Sequence, residues 1–422
     1  MKDWKEYSFK DITTKIGSGS TPTGGKEAYY NAGITLVRSL NIYDFEFEYK
    51  DLAFINEAQA KKLNGVTIEK DDILLNITGA SVGRCTIIPE KLLPARVNQH
   101  VSIIRADKKI ADSKFLLYSI NSSFYKESLM LIADSGSTRE ALTKVDIEKF
   151  KIFLPPLPTQ HRIASILSAY DDLIETNNQR IKLLEQTARE LYKEWFVRMR
   201  FPNYKKIKFK KGIPEGWEVK KLGELVTTQY GYTASATNES VGLKFLRITD
   251  IADTRIDWDK VPNCIIPEKE RKKYLLENGD MVVARTGATV GFAKRINKFN
   301  PPTVFASYLV RLKPKDYIFN YYLGIIVESE NYKEYIQTVA SGTAQPQANA
   351  GLMTGFSLFK PTDYLIRKFN LIAEPMFDQR EILEQQNIQL RQIRDRLLPR
   401  LVSGKLQVKE ISKNKKAVDY KL

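Results

Sequence analysis

Two near-identical turns, half a chain apart, constrain the fold of this polypeptide more than any other feature. Thr78-Gly79-Ala80-Ser81-Val82-Gly83 follows the apolar run D-D-I-L-L-N-I, and Thr286-Gly287-Ala288-Thr289-Val290-Gly291 follows G-D-M-V-V-A-R, 208 positions later. Other segments repeat at similar offsets. Trp4 echoes Trp217 at 213, I-T-L-V-R-S-L-N-I (34–42) echoes L-K-F-L-R-I-T-D-I (243–251) at 209, and S-I-I-R (102–105) echoes Y-L-V-R (308–311) at 206. S-G-S-T (135–138) matches S-G-T-A (341–344), also at 206. A slowly drifting offset marks duplication followed by small loop changes, not a solenoid with its period of ~20–50 residues. The chain is therefore two similar halves.

Each half divides alike. Short β-like runs such as I-T-L-V and V-S-I-I, separated by Gly, Pro, Asn and Asp clusters, predict a mainly β or α+β domain. Proline-marked junctions follow, L-P-P-L-P-T (154–159) and F-K-P-T (359–362), where Thr159 and Thr362 are candidate helix caps. Beyond each junction the apolar period becomes seven. Ile163, Leu167, Tyr170, Ile174, Asn177, Ile181, Leu184, Ala188, Leu191 and Trp195 form one seam, spaced alternately four and three apart. In the second half Phe369, Ile372, Met376, Gln379, Leu383, Gln386, Leu390, Ile393 and Leu397 give the matching alternation. Stripes this narrow and long suit a partner helix better than a globular face. The expected fold class is α+β: two mixed α/β domains separated by two long antiparallel helices that form an intramolecular coiled coil, in a pseudo-two-fold repeat. Asn177, Gln379 and Gln386 would help to fix its register.

Composition narrows the function. The formal net charge of +16 over 422 residues favours a polyanionic partner such as nucleic acid. Two cysteines, Cys85 and Cys264, lie far apart without a CxxC partner, which excludes a disulfide framework or zinc ribbon and suits a cytoplasmic location. No leader is expected in the charged first twenty residues, and no window approaches a membrane span. Three catalytic look-alikes fail. Gly79-Ala80-Ser81-Val82-Gly83 fits G-x-S-x-G, but the following R-C-T-I-I-P is β-like, the second copy has Thr289 for Ser81, and the second half has no histidine. A turn that needs glycine twice explains both copies. Asn300-Pro301-Pro302-Thr303 lacks the aromatic residue of a base-holding motif, and Ser20–Glu27 lacks the first glycine and the final hydroxyl of a phosphate loop.

With these features in place, I-P-E-G-W-E-V-K-K-L-G-E-L (213–225), the T-G-A-[ST]-V-G turns and L-P-P-L-P-T-Q-H-R-I-A-S-I-L-S-A-Y-D-D-L-I-E (154–175) resemble the specificity subunit of type I restriction–modification systems. The resemblance spans essentially the whole chain. It implies target-recognition domain 1 over residues 1–157, a central spacer helix over 158–197, a basic linker and target-recognition domain 2 over 198–361, a distal spacer helix over 362–404 and a basic tail over 405–422. It implies a non-catalytic subunit that binds an asymmetric, bipartite double-stranded DNA target, one half-site per domain, with the gap set by the coiled coil. Two adenine methyltransferase subunits and the restriction/translocase subunits would dock on it. It implies no cofactor bound by this chain, with S-adenosylmethionine, ATP and Mg2+ used by the partner subunits. About 30 helical residues span ~45 Å, or roughly 13 base pairs, so two domains could reach successive major grooves. The rival readings are a free-standing sequence-specific DNA-binding protein and a DNA methyltransferase in its own right.

DNA reading needs Arg, Asn, Gln, Ser or Thr on loops. Candidates in the first domain are Lys26, Arg38, Ser39, Asn41, Thr78, Arg84, Asn98, Gln99 and Arg139; in the second they are Arg247, Thr249, Arg285, Thr286, Ser307, Gln345 and Gln347. Arg38 and Arg247, common to both copies, suit a phosphate or scaffold role, whereas Arg139, Arg285, Gln345 and Gln347 suit base discrimination. The run R-M-R-F-P-N-Y-K-K-I-K-F-K-K (198–211) has seven cations and no acid, which makes Arg198, Arg200, Lys205 and Lys206 candidates for phosphate contact.

Overall fold

The computed structural model describes residues 3–22, 28–134, 140–253, 255–340 and 347–408. The chain forms two compact units, Met1–Thr176 with Asn387–Leu422, and Asn177–Gln386. Both boundaries fall inside the long helices, Leu157–Tyr192 and Asp363–Val402. Each unit thus holds one domain, the first part of the helix that leaves it, and the last part of the helix from the other half.

In the first unit the D-D-I-L-L-N-I run becomes strand Ile73–Asn76 in an antiparallel sheet ordered Thr13–Ser18, Val101–Ala106, Ile73–Asn76, Cys85–Ile87. All four of its residues are buried, because alternate side chains enter different cores. Ile73 and Leu75 join a cluster with Phe115 and Ile152, while Leu74 joins Leu36, Val37 and Val97 around a second sheet. A strand covered on both faces loses polar alternation, which is why Ile73, Leu74 and Leu75 are apolar in succession. The second sheet pairs Ile34–Val37 in parallel with Ala95–Val97 and antiparallel with Ala53–Ile55. The second unit repeats this plan. Val226–Tyr230, Leu309–Pro314, Met281–Ala284 and Ala293–Arg295 form the antiparallel sheet, and Leu243–Leu246 runs parallel to Thr303–Phe305. Met281 and Val283 enter one core, Val282 and Ala284 another.

A polar pair also repeats. Arg105 grips buried Asp72 from Nε at 2.8 Å, and Arg311 lies 2.7 Å from buried Asp280, tying the centres of the two antiparallel sheets in the same way. Trp4 and Trp217 are matched by what covers them. Phe201, just past the first long helix, stacks on Trp217 at 5.4 Å. Gly404, just past the second, has φ of 68° and backs onto the Trp4 ring, where an added Cβ would lie 3.1 Å from the indole.

The first seam takes the expected face. Ile163, Leu167, Ile174, Asn177, Ile181, Ala188 and Trp195 are buried, with Tyr170, Leu184 and Leu191 partly so. A final π-helical turn, Lys193–Val197, brings both Trp195 and Phe196 into the second core. The second seam needs correction. Phe369 and Leu383 are buried and Met376, Leu390 and Leu397 partly buried, but Ile372 and Ile393 are 41% and 44% exposed and Gln386 faces solvent. The stripe alternates four then three from Phe369, through Ala373, Arg380, Asn387 and Arg394. Two arginines, beside the expected Gln379 and Ile393, line the stripe because acids meet them. Arg394 pairs with Asp171, and Arg380 lies 3.8 Å from Glu185. These contacts run antiparallel within their own units: in the first, Leu398, Leu401 and Val402 share a core with Ile163, Ala164 and Leu167; in the second, Trp195 meets Phe369. Tyr118 donates to the same Asp171, and burial followed by that carboxylate pushes its phenol far above the usual range, so it remains a donor. In the second unit Tyr321 Oη lies 3.3 Å from Glu374.

The caps divide. Thr362 accepts from the Leu365 N–H at 3.4 Å, as a cap should. Thr159 does not cap, because the first long helix already starts at Leu157 and the Pro156 carbonyl takes the Thr159 N–H. Gln160 anchors that end instead, buried and bonded to the Ile110 and Pro155 carbonyls.

Candidate nucleic-acid interface

The two T-G-A turns are single 3-10 turns bracketed by left-handed glycines. Gly79 and Gly83 have φ of 72° and 81°, Gly287 and Gly291 of 73° and 85°, a region that penalises any Cβ. The turn therefore needs its glycines for shape. Ser81 Oγ accepts from Asn76 Nδ2 at 3.1 Å, and the chain continues into strand Cys85–Ile87, so no nucleophile is assembled. Thr303 of the N-P-P-T stretch is buried at the start of a strand, its hydroxyl turned back to the Pro301 carbonyl at 2.6 Å.

Around the first turn the structure gathers several candidates. Thr78 Oγ1 lies 2.6 Å from His100 Nδ1, Gln99 Nε2 lies 3.3 Å from His100 Nε2, and Thr21 donates to Gln99 Oε1. His100 was absent from the candidates read from sequence, although its place beside Gln99 was the available signal. Arg84 leaves the far side of the turn and lies over the Tyr43 ring, 4.8 Å from its centre.

Other candidates serve the fold. Asn41 is 0% exposed: its Oδ1 accepts from the Arg38 N–H, and its Nδ2 donates to the Glu48 and Lys50 carbonyls. Asn98 is buried and caps the His100 N–H at 3.1 Å. Neither amide is presented for base reading, and both depart from the sequence expectation because a short polar side chain in a tight turn satisfies the backbone first. Ser39 is half-buried, its carbonyl holding Asn76 Nδ2. Arg38 donates to the Asp51 carbonyl, and its equivalent Arg247 forms a two-pronged ion pair with Asp250 at 2.8 and 3.0 Å.

In the second domain Thr286 bridges Gln347, which is exposed, and Thr249 is exposed as well. Ser307 is half-buried and its N–H donates to the Tyr232 carbonyl. Arg285 lies over the Tyr230 ring at 4.9 Å. Exposed Tyr308, whose carbonyl accepts from the Arg285 N–H, flanks this face and is absent from the residue types expected to read bases. Lys26, Arg139 and Gln345 lie outside the described residues. In the linker Arg198 pairs with Glu194 and Arg200 lies 3.9 Å from the same carboxylate, whereas Lys205 and Lys206 are exposed. No group of residues suited to hold a metal ion occurs among the described residues, and no described helix is long and apolar enough to cross a membrane.

Comparison with known proteins agrees with this arrangement. A profile of the type I restriction modification DNA specificity domain matches twice, over residues 1–186 and 214–358. The MjaIX type I restriction enzyme specificity subunit of Methanocaldococcus jannaschii is 27% identical over 97% of this chain and 95% of its own length. The HindI specificity subunit of Haemophilus influenzae is 23% identical over 96% and 100%. A crystal structure of the S subunit of a type I restriction–modification system from M. genitalium aligns with a TM-score of 0.58 at 16% identity, covering 94% of this chain and 96% of that one, which establishes a shared fold. The chain belongs to the type I restriction–modification DNA specificity family, as a non-catalytic subunit that supplies DNA sequence recognition.

Proposed function

We propose that the two domains read different half-sites of one bipartite, asymmetric duplex target, that the paired helices set the gap between them, and that their outer faces dock two methyltransferase subunits, with restriction subunits joining that assembly. The observation that carries this reading is the antiparallel helix pairing found in each unit. Asp171 meets Arg394 in the first and Glu185 meets Arg380 in the second, fourteen residues forward on one helix and fourteen back on the other. A two-heptad interval on both helices is what one continuous register requires. Divergent faces on a shared scaffold support asymmetry: His100 and Gln99 surround the first turn, Arg285, Gln347 and Tyr308 the second. Lys205 and Lys206 would contact phosphates. S-adenosylmethionine, ATP and Mg2+ fall to the partner subunits on this reading.

Docking is supported by apolar residues left on the outer helix faces. Ile166, Leu173 and Ile393 are exposed in the first unit, and Leu183, Leu371 and Ile382 in the second. Such residues mark contact surfaces when they recur along one element. Leu173→Glu and Leu371→Glu test the reading. The expected result is that each variant melts like the parent but no longer co-purifies with the methyltransferase subunit; co-purification undiminished in both would overturn the docking.

A further inference from the structure

Arginines in the two recognition domains mostly have protein partners. Arg105, Arg247, Arg255, Arg271, Arg295 and Arg311 are ion-paired. Arg96 is bonded to the Ala60 carbonyl and to Asn64, and Arg38 to the Asp51 carbonyl. Among the described residues, Arg84 and Arg285 differ: neither guanidinium has an ion pair or a hydrogen bond within the protein, and each lies over a tyrosine ring, at 4.8 and 4.9 Å. Both platforms are fixed. Tyr43 sits on a hairpin tied to the turn, where Asp44 Oδ1 accepts from the Cys85 N–H at 3.2 Å and from Lys126 Nζ at 2.6 Å. Tyr230 Oη accepts from the Ala350 N–H at 3.0 Å. The Arg285 backbone is clamped on both sides, its N–H donating to the Tyr308 carbonyl and its carbonyl accepting from Ala348.

Stacking occupies the face of a guanidinium and leaves its N–H edge free. That planar pair of donors is the group that matches guanine O6 and N7 in the major groove. Building on the two-half-site reading above, we propose that Arg84 and Arg285 are specificity-determining residues, each held flat on a tyrosine to recognise a guanine in its own half-site. They are not duplicates. Arg84 follows its turn and Arg285 precedes its turn; at the 208-residue offset their counterparts are Phe292 and Ile77, both apolar. The same chemistry thus leaves opposite flanks of one scaffold, which places the guanine differently in the two half-sites and makes the target asymmetric.

Selection from randomised duplex DNA, with the full chain in complex with its methyltransferase partner, tests this. The unaltered chain should enrich a bipartite motif with a guanine in each half. Arg84→Lys, which keeps the charge, should lower the preference at one guanine by roughly 10- to 100-fold and leave the other half-site intact, with Arg285→Lys doing the reverse. Arg84→Gln and Arg285→Gln should move the same positions toward adenine, an outcome that loss of folding cannot produce. Unchanged motifs, or affinity lost evenly across sequences as for a phosphate contact, would overturn the assignment. Failure of the unaltered chain to enrich any two-part motif would instead defeat the half-site reading on which it rests.

Discussion

Asn41 shows how one side chain can look like a reader and act as a brace. Its three hydrogen bonds close the loop that follows strand Ile34–Val37, and it has no exposed surface. Asn41→Ala should therefore cost about 1–3 kcal/mol, since it leaves two carbonyls and an N–H unpaired, while the recognised DNA sequence stays the same. Chemical denaturation and motif selection together check this, and a changed motif with unchanged stability would return Asn41 to the readers. Sequence alone supplied residue types at loops but not their partners. Repeat position separates Arg247, common to both copies, from Arg285, but only the neighbouring Asp250 and Tyr230 show one guanidinium neutralised and the other open. His100 escaped notice for the converse reason, because its value comes from Thr78, 22 residues away.

At the scale of elements, periodicity was legible wherever side chains were apolar. The first long helix buries the seam its spacing predicts. In the second, Phe369 and Leu383 are buried and Met376, Leu390 and Leu397 partly so, while the positions between them fall one residue later than apolar spacing predicts, at Ala373 and Arg394 and not at Ile372 and Ile393. A buried arginine is invisible to a hydrophobic pattern, for its place depends on an acid on another helix. The corrected register makes a sharp comparison. Arg394→Ala removes the guanidinium that lies over Phe45 and leaves the Asp171 carboxylate without its cation, and should destabilise the first unit by about 3 kcal/mol. Ile393→Ala, one residue away and half-exposed, should stay within about 0.5 kcal/mol. Denaturant midpoints of the two variants decide the matter, and the reverse order would restore the earlier register. The strands were legible for the same reason as the first helix, whereas the pairing of Ile34–Val37 with Ala95–Val97, some sixty residues on, is a tertiary choice that local pattern does not encode.

For the whole molecule, the repeat in the sequence anticipates a repeat in the structure down to a polar contact, Arg105–Asp72 in the first unit and Arg311–Asp280 in the second. The proposed role of the helix pair is then a matter of length. A four-residue insertion in one helix would throw the seams out of phase; seven residues in both preserve the alternation of four and three. Seven residues inserted after Asn178 and seven after Gln385 should lengthen the pair by ~10.5 Å, roughly three base pairs of B-DNA. The most direct measurement is the gap in the motif methylated in cells by the complex carrying this double insertion. The expected gap is about three base pairs longer, between two unchanged half-sites; a folded, active complex that keeps the original gap would show that the helices do not set the spacing.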